Sequence, residues 1–217
     1  MKISENIKAV LFDLDGTLVD SMWMWPQIDK DFLNDRGFEV PDGLSDDVDG
    51  LSMAEDAVYF KTRFHLPDTE DELIDIWNNM ALHHYEEDVH LQPGAKEFLD
   101  YLKKRDIKAG LVTSNSRVLC MAALRSNGLQ SYFGTVVTSE DVAHGKPDPE
   151  GYLTAASRLG VKPHDCMVFE DLTAGLIAAR SAGMTVAAFD DDYSSAYIEQ
   201  KIELSDFMIY DYREMME

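Results

Sequence analysis

The sequence predicts an α/β protein: a doubly wound parallel sheet carrying an inserted all-helical unit. Three observations predict it. Short, nearly unbroken apolar runs alternate with stretches of helical period, as expected for strands covered on both faces. Glycines stand where the helical stretches should end. After the first apolar run the alternation lapses, and up to about residue 90 only helical spacing is seen.

The first strand is Ala9–Phe12, stopped at Asp13. From about Ser21 to Gln92 no convincing strand is found. There, Ala57, Phe60, Lys61 and Phe64 share a helical face, as do Leu73, Ile76, Trp77, Met80 and Ala81. After Pro93-Gly94, an apolar face of Ala95, Phe98, Leu99 and Leu102 precedes a strand at Ala109–Thr113. Val118, Met121, Ala122 and Arg125 form the next helix, closed by Gly128, before a strand at Thr135–Thr138. Tyr152, Ala155, Ala156 and Leu159 follow, closed by Gly160, then a strand at Met167–Phe169. Leu172 to Ala182 is helical up to Gly183, and Thr185–Phe189 is the fifth strand; Phe207–Ile209 is a weaker sixth. The expected division is a core of residues 1–21 and 91–217 and a helical cap of 22–90. An insert after a parallel strand's C-terminal end stands where such sheets bind ligands, so it is placed to cover a site or simply to lengthen the core.

Composition narrows the function. There are 41 acidic against 19 basic residues, a formal net charge of −22. Such a polyanion holds neither nucleic acid nor an anionic membrane through a general basic field, and an anionic substrate would demand local positive charge or a metal. Cys120 and Cys166 supply neither a disulfide framework nor a zinc set; they read as small core residues of a reducing compartment. No run approaches a membrane span, and the first is too short for a signal segment. The expectation is a cytoplasmic monomer.

Chemistry-bearing residues gather at strand ends. Asp13 and Asp15, at i and i+2 on extended chain, point the same way, and Gly16 permits a turn after them. Carboxylates this close want a cation. An EF-hand fits poorly, because its sixth and twelfth positions hold Leu18 and Met24 instead of Gly and Glu. Thr113-Ser114-Asn115-Ser116 follows the second strand of the core. It is either a plain helix N-cap at Ser114 or Ser116, or an anion site built with backbone N–H groups. Lys146 is held between Gly145 and Pro147, and Glu170-Asp171 closes the fourth strand with Gly175 four residues on. Asp190-Asp191-Asp192 reads as a turn and N-cap for the last helix, with Asp190 bordering the site at most. His83, His84 and His90 match no standard ligand spacing.

In this order, D-x-D-G-T, T-S-N, G-K-P-D-P and E-D-x-x-x-G, the sequence resembles the haloacid dehalogenase superfamily over essentially its whole length. The general look is nearest its β-phosphoglucomutase-like and phosphoglycolate phosphatase-like group. The resemblance implies a Rossmann-like core with a helical cap, and a Mg²⁺-dependent phosphatase acting on a small phosphorylated metabolite. It implies Asp13 as nucleophile forming an aspartyl-phosphate, and Asp15 as general acid/base. It places Mg²⁺ on Asp13, Asp171 and the Asp15 backbone carbonyl, with Glu170 behind them. Ser114, the Asn115 backbone and Lys146 are implied to hold phosphate. Dehalogenases lack an acid at the Asp15 position and transport ATPases carry Thr there, so Asp15 points to phosphate-ester turnover. Sugar phosphomutases of the group carry a His where Trp25 stands, and an Arg where Met53 follows Gly50-Leu51-Ser52. The phosphatase is therefore the first expectation and a sugar phosphomutase the second. A non-catalytic phosphate-binding regulator, the contrasting class, is disfavoured by the intact Asp13, Asp15, Asp171 and Lys146. The Met22–Trp25 segment is either packing material or a contact for a ring-bearing substrate.

Overall fold

The computed structural model describes residues 3–48, 51, 53–190, 193–194 and 197–216. Gly50, Ser52, Asp191 and Asp192, which entered the sequence reading, lie outside the described residues. The chain forms two compact units, Met1–Ser21 with Val89–Glu217, and Met22–Asp88.

The first unit holds a six-stranded parallel sheet. Its strands are β1 (Ala9–Phe12), β4 (Lys108–Val112), β5 (Phe133–Val137), β6 (Cys166–Glu170), β7 (Thr185–Phe189) and β8 (Phe207–Ile209), in the order β5-β4-β1-β6-β7-β8. All four residues of β1 are fully buried, which explains why the run carries no polar alternation. The chain travels outward through β4 and β5, then crosses back to β6 on the other side of β1. That reversal opens a crevice at the C-terminal ends of β1, β4 and β6, where open α/β sheets bind ligands. Helices α5 (Ala95–Lys104), α6 (Arg117–Ser126), α7 (Glu150–Leu159), α8 (Thr173–Ser181) and α9 (Ile198–Leu204) connect the strands. Both cysteines are buried in this core.

Two expectations are corrected. The stretch read as free of strands contains β3 (His90–Leu91), which pairs antiparallel with β2 (Val19–Asp20). Two residues are too few to show any period. The N-cap position of the last helix is Tyr197, beyond the Asp190–Asp192 run. Asp190 instead accepts an ion pair from Lys201 at 2.8 Å. Lys201 is wholly buried, and it also donates to the Phe189 carbonyl and to Ser194 Oγ.

The second unit contains α1 (Met24–Asp35), α2 (Leu44–Val48), α3 (Met53–Phe64) and α4 (Glu70–Glu87). Thr69 and Glu72 form a capping box that starts α4. Phe32, Phe60 and Trp77 meet at centroid distances of 5.1–5.9 Å and centre this unit's core. Met24 is buried, Trp25 half-buried and Trp23 41% exposed, so the Met22–Trp25 segment is only partly packing material. No helix among the described residues is long and apolar enough to cross a membrane.

Asp29 and Asp56 stand about one turn before Phe32 and Phe60. Burial raises the Asp29 carboxyl to about 6. Burial, then Asp29 and Glu55, raises Asp56 to about 7, and Asp56 Oδ1 is buried with no hydrogen-bond partner among the described residues. Below pH ~4 both groups are protonated folded or unfolded, and the cost is absent. It builds as pH rises from about 4 and is fully present above about 6 for Asp29 and about 7 for Asp56. Asp56→Asn is therefore expected to raise stability at pH 8 by ~1–2 kcal/mol, a figure discounted for partial solvent screening, and to change little at pH 4. Thermal unfolding at the two pH values checks this; an equal effect at both would contradict it.

Candidate active site

The parallel register assembles the site. Phe12 lies opposite Leu111 of β4 and Phe169 of β6, so the residues after them converge. The Asp13 amide extends the ladder by donating to the Phe169 carbonyl at 3.0 Å. Three buried carboxylates, Asp13, Glu170 and Asp171, thereby offer ligand oxygens all within 4.8 Å of one another. Hard, buried carboxylate oxygens at this spacing suit a divalent cation such as Mg²⁺. Glu170 belongs to this cluster itself, where the sequence reading set it behind.

Lys146 is the cationic member. Its Nζ pairs with Asp13 and, at 2.5 Å, with Glu170, and it also donates to the Val112 carbonyl at 3.3 Å. Burial works against this ammonium, but Asp13 and Glu170 outweigh it and raise its pKa. For Asp13, burial dominates and pushes the carboxyl upward; Lys146 opposes this, while Glu170 and Asp15 add to it. A second positive charge at the cluster would relieve that rise.

Asp15 lies apart from the three-carboxylate cluster. Its side chain accepts from Ser21 Oγ at 2.7 Å and from Asn115 Nδ2 at 3.2 Å. The turn between Asp13 and β2 is short because the Val19 and Leu18 amides both donate to the Leu14 carbonyl, and the Gly16 amide to Val19. Ser114 is exposed, and Ser116 is the N-cap of α6, accepting from the Leu119 amide at 3.4 Å. The Asn115 amide donates to Thr113 Oγ1 at 3.0 Å.

Three partners were not singled out from sequence as site residues. Thr17 Oγ1 donates to Asp171 at 2.9 Å; its place in D-x-D-G-T was the available signal. Tyr152, read as core, is buried but donates its hydroxyl to Glu170 at 2.6 Å. Ser21, the last residue before the second unit, holds Asp15. His84 pairs with Asp88 at 2.9 Å at the end of α4 and joins no metal cluster among the described residues.

A model of the haloacid dehalogenase-like hydrolases matches residues 10–189. Among curated relatives, validoxylamine A 7'-phosphate phosphatase of Streptomyces hygroscopicus subsp. limoneus is 33% identical, covering 82% of this chain and 83% of its own. A phosphorylated carbohydrates phosphatase of Thermotoga maritima is 30% identical, covering 82% of each. The crystal structure of CbbY from Rhodobacter sphaeroides in complex with phosphate shares the fold, with a TM-score of 0.84 over 96% of both chains at 21% identity.

Gly175 in α8 packs directly on the cluster: a Cβ there would fall on the Glu170 carboxylate. Glu170 cannot easily yield, because Lys146 and Tyr152 grip the same oxygen. Gly175→Ala should therefore destabilise by ~1–3 kcal/mol, despite the helix-propensity gain of about 1 kcal/mol. In thermal unfolding an unchanged or higher Tm would show that Glu170 relaxes freely.

Proposed function

Because the chain belongs to the haloacid dehalogenase-like hydrolases, we propose that it is a phosphatase that hydrolyses the monoester of a small phosphorylated metabolite through Asp13 and Asp15. The observation that carries this reading is the division of labour between the two carboxylates. Asp13 lies against Lys146 in the buried cluster, while Asp15, two residues on, is held by Ser21 and Asn115. A nucleophile and a proton carrier in hydrolysis need such different surroundings. Relatives described as a phosphorylated carbohydrates phosphatase and a hexitol phosphatase support a phosphosugar or phosphopolyol as substrate class. Trp25 and Met53 bring no cation to the places where a phosphomutase would use His and Arg, which supports hydrolysis over isomerisation.

In the proposed cycle an Asp13 carboxylate oxygen attacks phosphorus in line. The bond from phosphorus to the ester oxygen breaks, and Asp15 gives its proton to the departing alkoxide, leaving Asp13 phosphorylated. Asp15, now a carboxylate, takes a proton from water. The resulting hydroxide attacks the same phosphorus and releases inorganic phosphate and free Asp13. Ser21 and Asn115 keep Asp15 aimed through both transfers. Lys146, the Ser114 hydroxyl and the Asn115 amide serve the phosphate oxygens; the Asn115 amide must leave Thr113 Oγ1 to do so. Asp13, Asp171 and the Asp15 carbonyl would hold Mg²⁺, with Glu170 beside them. Bound there, the ion supplies positive charge against the phosphate oxygens. Lys146 and this ion together meet the demand that a −22 chain makes when its substrate is an anion. The same charge supports a monomer without nucleic-acid or membrane partners, and the two buried free cysteines support a reducing, cytoplasmic setting.

Asp13→Asn is expected to abolish phosphate release from sugar and polyol monophosphates in Mg²⁺ while leaving the circular dichroism unchanged. Chelation by EDTA should do the same to the unaltered protein. Activity surviving in the variant, or no release from any ester by the unaltered protein with Mg²⁺, would refute the reading.

Asp15→Asn is expected to stall after attack when the leaving group is good, as with p-nitrophenyl phosphate. Intact-mass analysis should show one added phosphoryl group, mapping to Asp13. A phosphoryl group found on a serine or histidine would overturn the assignment.

A further inference from the structure

Tyr212, in a short 3-10 turn at Tyr212–Met215, lies far from the cluster in sequence but beneath it in the fold. It is completely buried. Its ring meets four others: Phe12 at 5.8 Å, Phe98 at 5.4 Å, and Phe169 and Phe189 at 5.1 Å each. Phe12 and Phe189 close their strands and Phe169 is the last residue but one of β6, and each of the three is followed at once by an acidic residue. Phe12 precedes Asp13, Phe169 precedes Glu170, and Phe189 precedes Asp190. One ring therefore sets the spacing of three strand ends from below.

The hydroxyl has a separate task. It donates to the Thr17 carbonyl at 3.0 Å. Thr17 is fully buried, and its own hydroxyl reaches Asp171 at 2.9 Å. On either side, Gln92 donates to the Gly16 carbonyl at 3.1 Å from its side chain and to the Leu18 carbonyl at 3.0 Å from its backbone. The Gly16–Leu18 loop is thus held at three successive carbonyls, and the middle grip comes from Tyr212. The tyrosine is itself anchored. Its amide donates to the Pro93 carbonyl at 3.0 Å, and Asp211 and Arg213 pack so closely on Gly94 that a Cβ there would lie 2.5 Å from Asp211 Oδ1. Burial, with Asp13, Asp171 and Glu170 nearby, raises the Tyr212 pKa far above its ordinary value, so the hydroxyl keeps its proton.

We infer that Tyr212 is a positioning residue: its hydroxyl fixes Thr17, and through Thr17 the carboxylate of Asp171, so that the cation site and the Asp15 loop hold one arrangement. The activity consequence rests on the phosphatase reading; the structural consequence does not. A packing role alone would need only the ring, and phenylalanine would serve it.

Tyr212→Phe separates the two, since it keeps the ring contacts and deletes one hydrogen bond. Three readouts decide the matter: Tm without metal, hydrogen-exchange mass spectrometry without ligand, and the Mg²⁺ concentration at half-maximal thermal stabilisation and half-maximal turnover. The expected result is a Tm within a few degrees of the unaltered protein, faster exchange confined to Leu14–Val19, and Mg²⁺ half-saturation raised roughly three- to tenfold, the range for one lost hydrogen bond. Thr17→Val, which breaks the next link, should give a similar Mg²⁺ shift, and the double variant should be little worse than either single one. Unaltered exchange in Leu14–Val19, or exchange raised evenly across the core, would overturn the inference. So would unaltered Mg²⁺ half-saturation, or single-variant effects that multiply in the double variant. If the unaltered protein turned over no ester, the phosphatase reading would fall, and exchange, which uses no ligand, would still decide this one.

Discussion

The contact on which the first unit depends is a buried ammonium between two carboxylates. Lys146 faces Asp13 and Glu170 at the C-terminal ends of β1 and β6. Burying one carboxylate without a partner is prohibitive, and burying three at one point is more so. The sheet nonetheless delivers Asp13, Glu170 and Asp171 to the same place, because Phe12 and Phe169 are in register. Lys146 answers part of that charge, and Tyr152, Thr17 and the Asp171 amide answer more of it with hydrogen bonds. The arrangement still carries more negative than positive charge, which suits a further cation and sets it apart from a simple structural ion pair.

Much of this was legible in the sequence. Buried strands read as apolar runs, so β1, β7 and β8 appear at their full observed extents. β4 begins and ends one residue earlier than its run suggested, β5 begins two residues and ends one residue earlier, and β6 extends one residue further at each end. Strand ends in a parallel sheet gather ligand groups, and this general rule brought Asp13, Glu170 and Asp171 together before any distance was known. Lys146 stood out because flanking Gly and Pro are unusual company for a surface lysine.

What stayed hidden has a physical reason in each case. β2 and β3 are two residues each, below the length at which any period can be counted. Tyr152 sits on a helical stripe whose apolar partners explain it fully, so nothing announces that its hydroxyl reaches Glu170. Tyr212 is almost two hundred residues from Thr17, and its role exists only in three dimensions. Asp190 looked like part of an acidic cap, but Lys201, a lysine with no exposed surface, claims it.

The small β2–β3 ribbon carries a consequence for how such a chain can change. Asp20 pairs with His90, so the chain leaves the first unit and returns to it at adjacent points. Closing a loop whose ends are already pinned adds an entropic cost that grows only with the logarithm of its length. The segment Met22–Asp88 can therefore lengthen, shorten or be rewritten with little penalty to the strands that hold Asp13 and Lys146. A lineage built this way is free to rewrite its second unit while the residues gathered around Asp13 stay the same.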